Sequence, residues 1–376
     1  MKILFTGGGT GGHFYPIIAV AEEVNAIASE KKLLVPKLYF ISPNPFDSDL
    51  LFKNNIIFKK SPAGKIRTYF SILNFFDLFK TAFGSIKTAF QIFFIYPDVI
   101  FCKGGYGSFP TVLASRLFKI PLVVHESDTV PGRVNVWAGK YARKVAVSFP
   151  EAAKYFPEDK VALTGVPIRR ELHTVATEGA VEFLGLEDNV PVVLILGGSQ
   201  GSKVINEIIL DALPQLVGDF QIIHQVGKGN IEDVKNTALI VLEGNENSSR
   251  YRPFDYLNAL ALRMAAGAAD IIVSRAGASA IFEIALWGIP SIIIPIKEEV
   301  SRDQRSNAFS YARSGAAVVV EEENLSVSII VSEIRRIVNN AEVRERMGKC
   351  AKQFAKADAA KKIATVLIDI ALEHER

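Results

Sequence analysis

At 376 residues the chain is too long for one ordinary core, and at roughly 100–200 residues per domain two domains are the simplest fit. Hydrophobic residues make up 49% and charged residues 22%, which excludes a disordered or low-complexity chain. The 43 basic and 40 acidic residues leave a formal charge of +3, too little for a basic groove along the surface, so no nucleic acid is expected as a partner. Only Cys102 and Cys350 are present, without metal-ligand spacing, and a reducing compartment with no structural zinc is expected.

The first apolar run, Ile3–Phe5, meets glycines at once. It is too short for a signal-peptide core, so the chain is expected to start inside its fold. Leu38–Ile41, Val99–Cys102, Leu122–Val124 and Val145–Val147 follow, each separated from the next by a helical pattern. The same alternation resumes with Val192–Leu196, Gln221–His224, Ile271–Val273 and Ser291–Ile294. Short apolar strands between helices predict βαβ units, hence an α/β fold of two doubly wound domains. The boundary is placed in Leu163-Thr164-Gly165-Val166-Pro167, giving domains of residues 1–163 and 164–356. A terminal helix, about residues 357–376, has no following strand and is expected to pack back on the first domain. The longest apolar stretch, Ile284–Ile296, is broken by Gly288 and Pro290, and no segment is expected to span a membrane.

Two strands run straight into glycines: Gly7-Gly8-Gly9-Thr10-Gly11-Gly12-His13 and Gly197-Gly198-Ser199-Gln200-Gly201. Glycines between a strand and a helix expose backbone N–H groups at a positive helix end and let a phosphate approach closely. Gly7, Gly9 and Gly12 formally make GxGxxG, yet the next strand ends in Ser42-Pro43, without the carboxylate that would hold a nicotinamide ribose. No cofactor is expected. Asp47-Ser48-Asp49 matches a metal-binding DxD, but its surroundings read as a helix cap, so no metal is expected either.

Between Ile56 and Pro97, Lys59, Lys60, Lys65, Arg67, Lys80 and Lys87 face the single acid Asp77, and eight phenylalanines fall between Phe70 and Phe94. Ile72, Phe76, Phe79, Phe83, Ile86 and Phe90 make an inward helix stripe in this reading. Phe70, Phe75, Leu78 and Phe93 are left over. With Lys80 and Lys87 they describe a face for an anionic membrane surface.

Further stretches complete a pattern. These are Lys103-Gly104-Gly105-Tyr106-Gly107-Ser108, His125-Glu126, Gly165-Val166-Pro167-Ile168-Arg169, and Ser274-Arg275-Ala276-Gly277-Ala278 with Glu283, Gly288-Ile289-Pro290 and Gln304…Asn307-Ala308. With the two glycine loops, in this order over roughly residues 1–320, they resemble the MurG family, UDP-N-acetylglucosamine:lipid I N-acetylglucosaminyltransferases. The resemblance implies a GT-B fold, two Rossmann-like domains facing across a cleft. The first would hold lipid I, an undecaprenyl-pyrophosphate-linked acceptor, and the second UDP-N-acetylglucosamine, on the cytoplasmic face of the cell membrane as a peripheral enzyme. Inverting transfer to O4 of the N-acetylmuramyl unit needs a base, a cradle for pyrophosphate charge, and contacts that orient the donor.

The resemblance gives the base role to His13, at the helix start. Gly8, Gly9, Gly104, Gly105, Tyr106, Ser108 and Glu126 would line the acceptor site. Thr10, Gly11 and Gly12 would contact phosphate or the transferred sugar, and Arg169 the donor pyrophosphate with its planar fork. Ser199 and Gln200 would hold the leaving phosphate. Ala278, Ser279, Ala280, Ile281 and Phe282 would border the donor while Glu283 accepts the ribose hydroxyls; Gln304 would meet the sugar and Phe254 the uracil. Two residues depart from the pattern. Asp128 stands where the family commonly has Asn, and is a second candidate base. Asp303 stands where a His or Gln usually precedes Gln304. The alternatives are another GT-B enzyme, such as a glycosyltransferase for a different lipid or a UDP-N-acetylglucosamine epimerase, or a non-catalytic nucleotide-sugar sensor.

Overall fold

The computed structural model describes residues 1–65, 73–198, 200–298, 301 and 303–373. The chain forms two compact units, Met1–Arg170 together with the segment from Lys356 on, and Glu171–Ala355.

In the first unit β1 (Lys2–Thr6), β2 (Lys37–Ser42), β3 (Ile56–Lys60), β4 (Val99–Cys102), β5 (Leu122–Glu126), β6 (Lys144–Val147) and β7 (Val161–Leu163) form one sheet in the order β3-β2-β1-β4-β5-β6-β7. Every pairing is parallel. Side chains alternate across a strand, so Ile3 and Phe5 join one core with the helix Gly11–Glu30. Leu4 joins another, on the opposite face, with Ile100, Cys102 and Val112. Burial on both faces is why the central strands read as unbroken apolar runs.

The second unit repeats the plan. β8 (Val192–Leu196), β9 (Gln221–Gln225), β10 (Tyr251–Phe254), β11 (Ile271–Arg275), β12 (Ser291–Ile294) and β13 (Ala317–Val319) lie in the order β10-β9-β8-β11-β12-β13. Four strands absent from the sequence reading or blurred in it, β3, β7, β10 and β13, are the four sheet edges.

The helix Ala359–Leu372 packs on the first unit and places Ile363, Leu367, Ile368 and Ile370 in the core that holds Ile3 and Phe5. The units part after Arg170 and not at Leu163. The intervening residues belong to the first unit for three reasons: Val166 and Ile168 are buried, the Gly165 carbonyl lies 3.0 Å from His125 Nε2, and Arg170 pairs with Glu23 at 2.5 Å.

The helix Leu73–Ile95 corrects one expectation. Its stripe of Phe76, Phe79, Phe83, Ile86 and Phe90 points outward, not inward. The inner side is made of small and polar residues against the segment after β3. Ser61 Oγ lies 2.5 Å from Thr88 Oγ1, Gly64 N–H donates to Thr81 Oγ1 at 2.9 Å, and a Cβ on Gly84 would collide with the Pro62 carbonyl. Among its described residues only Ile92 and Ile95 bury a large apolar side chain. Phe75, Leu78 and Phe93 are exposed as well, so nine large apolar side chains stand out, from 58% (Phe93) to 79% (Phe94) exposed. Lys80 lies beside them, exposed, and Lys87 is half-buried. Phe70 and Ile72 lie outside the described residues. Among the described residues, no helix is long and apolar enough to cross a membrane.

Candidate active site

In each sheet the strand order reverses between the first strand and its later neighbour, β1 beside β4 and β8 beside β11. The crevice at the carboxyl ends of such strands is where open α/β sheets bind ligands. Both glycine loops of the first unit lie there, one after β1 and one after β4.

They interlock through backbone and side chains. Gly8 N–H donates to the Gly104 carbonyl at 2.9 Å. Gly105 has φ +81°, and a Cβ there would sit 3.1 Å from Gly8 Cα and 3.3 Å from His13 Nε2. The His13 imidazole therefore rests against the second loop. Its Nδ1 is 2.8 Å from Thr10 Oγ1; in the tautomer with Nδ1–H donating to Thr10, Nε2 keeps a free lone pair. Burial under the loops, with the Lys103 charge second, pushes His13 down to about 3, so it is neutral at ordinary pH. Ser108 Oγ donates to the Gly105 carbonyl at 2.8 Å and fixes that turn. Tyr106 stands over Gly9, its hydroxyl 3.4 Å from where a Cβ would lie.

Glu126, at the end of β5, is buried. Its carboxylate accepts Asp128 N–H at 3.0 Å, Gly132 N–H at 3.1 Å and the Asn135 amide at 2.8 Å. It shapes the turn that carries the half-buried Asp128. Arg169 lies over the Tyr15 ring, Cζ 4.3 Å from the centroid, a cation–π contact that holds the guanidinium next to the first loop's helix. Asp47 Oδ1 accepts Leu50 N–H at 3.0 Å as an N-cap.

In the second unit Ser202 caps the helix Lys203–Leu216, accepting Ile205 N–H at 3.3 Å. Gly201, with φ +75°, turns the chain where a Cβ would strike the Val226 carbonyl. Gln200 precedes it, and Ser199 lies outside the described residues. Arg275, at the end of β11, donates to Ser202 Oγ at 3.0 and 2.6 Å and to the Ile294 carbonyl at 3.2 Å, and pairs with Glu322 at 2.6 Å. It straps together the ends of β11 and β12 and the cap of the loop helix. Sequence reasoning gave Arg275 no role; its signal was a charge ending an otherwise apolar strand. Asn307, likewise given no role, is buried and donates to the Ala276 carbonyl at 3.3 Å.

The helix Ala278–Trp287 opens with the N–H groups of Ala278, Ser279 and Ala280, which a helix cannot satisfy internally. Ile281 N–H is taken by the Gly277 carbonyl at 3.1 Å. Ile281 and Phe282 bury their side chains, whereas Glu283 is half-buried. Phe254 ends β10, and Gln304 accepts Ile296 N–H at 3.3 Å through Oε1. Two helix N-termini at a crevice offer a field suited to an anionic ligand. Among the described residues no three His, Cys, Asp or Glu side chains are grouped to hold a metal ion.

Residues 3–147 match the glycosyltransferase family 28 N-terminal domain and residues 192–363 the family 28 C-terminal domain. A protein of Clostridium botulinum strain Hall named UDP-N-acetylglucosamine--N-acetylmuramyl-(pentapeptide) pyrophosphoryl-undecaprenol N-acetylglucosamine transferase is 37% identical over 343 residues, covering 91% of this chain and 92% of its own. One of the same name from Clostridium tetani is 36% identical over 91% of both chains. Among solved structures, Acinetobacter baumannii MurG superposes with a TM-score of 0.72 at 22% identity, covering 98% and 99% of the two chains. A putative UDP-N-acetylglucosamine 2-epimerase from Listeria monocytogenes reaches 0.70 at 14%, covering 100% and 97%. At these identities the structural likenesses speak for the GT-B fold alone. With the two family 28 domains in order and relatives above 35% identity along nine-tenths of its length, the chain belongs to the MurG family of glycosyltransferases.

Proposed function

We propose that the chain transfers N-acetylglucosamine from UDP-N-acetylglucosamine to O4 of the N-acetylmuramyl unit of lipid I, with inversion at C1. The acceptor oxygen bonds to C1 as the C1–O bond to the β-phosphate breaks. The electron pair leaves with UDP, and the hydroxyl proton passes to His13 Nε2. The carrying observation is membership in a family whose curated relatives bear that transferase name, in a chain with a glycine-loop crevice in each unit. Acceptor binding falls to the Gly8, Gly105 and Tyr106 loops. Donor binding falls to Gln200, Ala278–Ala280 and Glu283, with Ser199 beside Gln200 in the sequence, and the pyrophosphate is assigned to Arg169. Thr10 orients His13 in this reading.

The exposed aromatic helix and Lys80 support peripheral attachment to an anionic bilayer surface, on the cytoplasmic face where the lipid-linked acceptor would be met. At about 150–250 Å² for a Phe side chain, the seven phenylalanines with Leu78 and Ile86 expose on the order of 1000 Å², beyond the few hundred usual on a soluble monomer.

The test follows labelled sugar from UDP-N-acetylglucosamine with and without a soluble lipid I analogue. Transfer to the analogue with stoichiometric UDP supports the reading. An acceptor-independent isomer of the sugar nucleotide would establish an epimerase instead, and binding without turnover a sensor.

A further inference from the structure

Lys103 is a buried charged group that the reaction scheme above does not use. It follows β4 directly, its backbone N–H donating to the Thr6 carbonyl at 2.8 Å, and the whole residue is 2% exposed. Its Nζ donates to Ser127 Oγ at 2.6 Å. A buried ammonium costs several kcal/mol unless opposite charge compensates it. The charges facing it are Glu126 and Asp128, at the end of β5 and on the turn that follows, with the neutral thiol of Cys102 behind it on β4. Burial first, and the Lys103 charge second, hold His13, on the first helix, and His125, on β5, neutral.

The two carboxylates are not equivalent. Glu126 accepts three N–H donors, two from the turn that follows it and one from Asn135 on the next helix. Asp128 rides on that turn, half-buried. The Ser127 hydroxyl that takes the Lys103 ammonium ties the cation to this turn, so Glu126 and, after it, Asp128 are its counter-charges.

We propose that Lys103 is a positioning residue for the transfer reaction, a cation set behind the interlocked glycine loops that acts with Asp128, on the turn its ammonium is tied to, as one charge unit. The inference rests on the transferase reading. Formally the cradle holds one positive and two negative charges. Lys103→Met leaves two uncompensated carboxylates, and Asp128→Asn leaves none in excess. Lys103→Met with Asp128→Asn returns to the starting sum.

The test is kcat/KM against pH for these three variants and for His13→Ala, on the soluble acceptor analogue, with far-ultraviolet circular dichroism to verify folding. Lys103→Met is expected to lose at least tenfold and to move the acid limb up by roughly one pH unit, the sign that follows from removing a cation near the imidazole. Asp128→Asn is expected to lose less than tenfold with the limb unmoved. The double variant is expected to outperform the product of the two single effects, which a merely structural lysine would not produce. Multiplying single effects, or wild-type activity and profile in Lys103→Met, would overturn the charge unit. Loss of about a thousandfold or more in Asp128→Asn would make Asp128 the base and overturn its place in the charge unit. His13→Ala separately tests the scheme beneath it: if that variant stays active the base reading fails, while coupling between positions 103 and 128 can still be read.

Discussion

Replacing Phe79 and Phe83 with serine separates a membrane face from a core. The two rings are 60% and 64% exposed, so each leaves about 120 Å² of a ~200 Å² side chain in water. At about 25 cal/mol per Å² full immersion is worth ~3 kcal/mol per ring. A helix lying in the interface immerses about half of that, ~1.5 kcal/mol. The double variant should then lose ~3 kcal/mol of bilayer affinity, roughly a hundredfold in partitioning. Lys80 should add on the order of 1 kcal/mol on an anionic bilayer, a part that salt removes as the Debye length shrinks. Co-sedimentation with anionic and neutral vesicles at low and high salt measures both parts. Thermal unfolding is the control. An exposed substitution should change stability by no more than about 0.5 kcal/mol, whereas a core Phe truncation costs about 3–5 kcal/mol. A marked fall in melting temperature with unchanged sedimentation would refute the argument.

His13→Ala should lower kcat by about 10²–10⁴-fold, as loss of a general base does, with donor affinity retained. Glu283→Ala should instead weaken UDP-N-acetylglucosamine by about 1.5–3 kcal/mol, the worth of a charge-assisted hydrogen bond; equal donor affinities by calorimetry would sink the contrast. Turnover should persist in excess EDTA, since Arg169 and helix N-termini are assigned to the phosphates; a loss that magnesium reverses would count against that assignment. Burial pushes His224 down to about 3, against ~6.5 in an unfolded chain. Between those values the unfolded state binds the extra proton, so this stabilisation is complete above pH ~6.5 and falls by about 1.4 kcal/mol per unit on acidification toward 3. His224→Phe should flatten that part of the denaturation slope between about pH 6.5 and 4.5, and an unchanged slope would contradict it.

The central strands were legible because burial on both faces makes them continuous apolar runs, as in Val192–Leu196. Edge strands pair on one side only, and their sequences are correspondingly mixed. β3 ends in Lys59-Lys60, and β10 carries Pro253, whose missing N–H a central strand would not tolerate. Periodicity marked a stripe on the aromatic helix but carried no information on which side met protein. Thr81, Gly84 and Thr88 decided that by fitting closely against Ser61–Gly64. At the candidate site, glycines announced both loops from sequence. Their interlocking at Gly8 and Gly105, the three donors on Glu126, and the strap made by Arg275 are long-range contacts without a local signature. The join moved to Arg170 because the residues after Pro167 bury an isoleucine in the first unit, which no punctuation of Gly and Pro reveals.

The helix Ala359–Leu372 sets an order of events during synthesis. The core around Ile3 and Phe5 is roofed partly by Ile363, Leu367 and Ile368, so residues made first wait for residues made after the whole of Glu171–Ala355. At about 5–20 residues per second that wait is ~10–40 s. In that interval the second unit can close on itself, while the first carries an open apolar face into which Ala364 and Ala371 will later fit. Released chains truncated after Ala355 should thus show a protease-resistant second unit and a protease-sensitive first one.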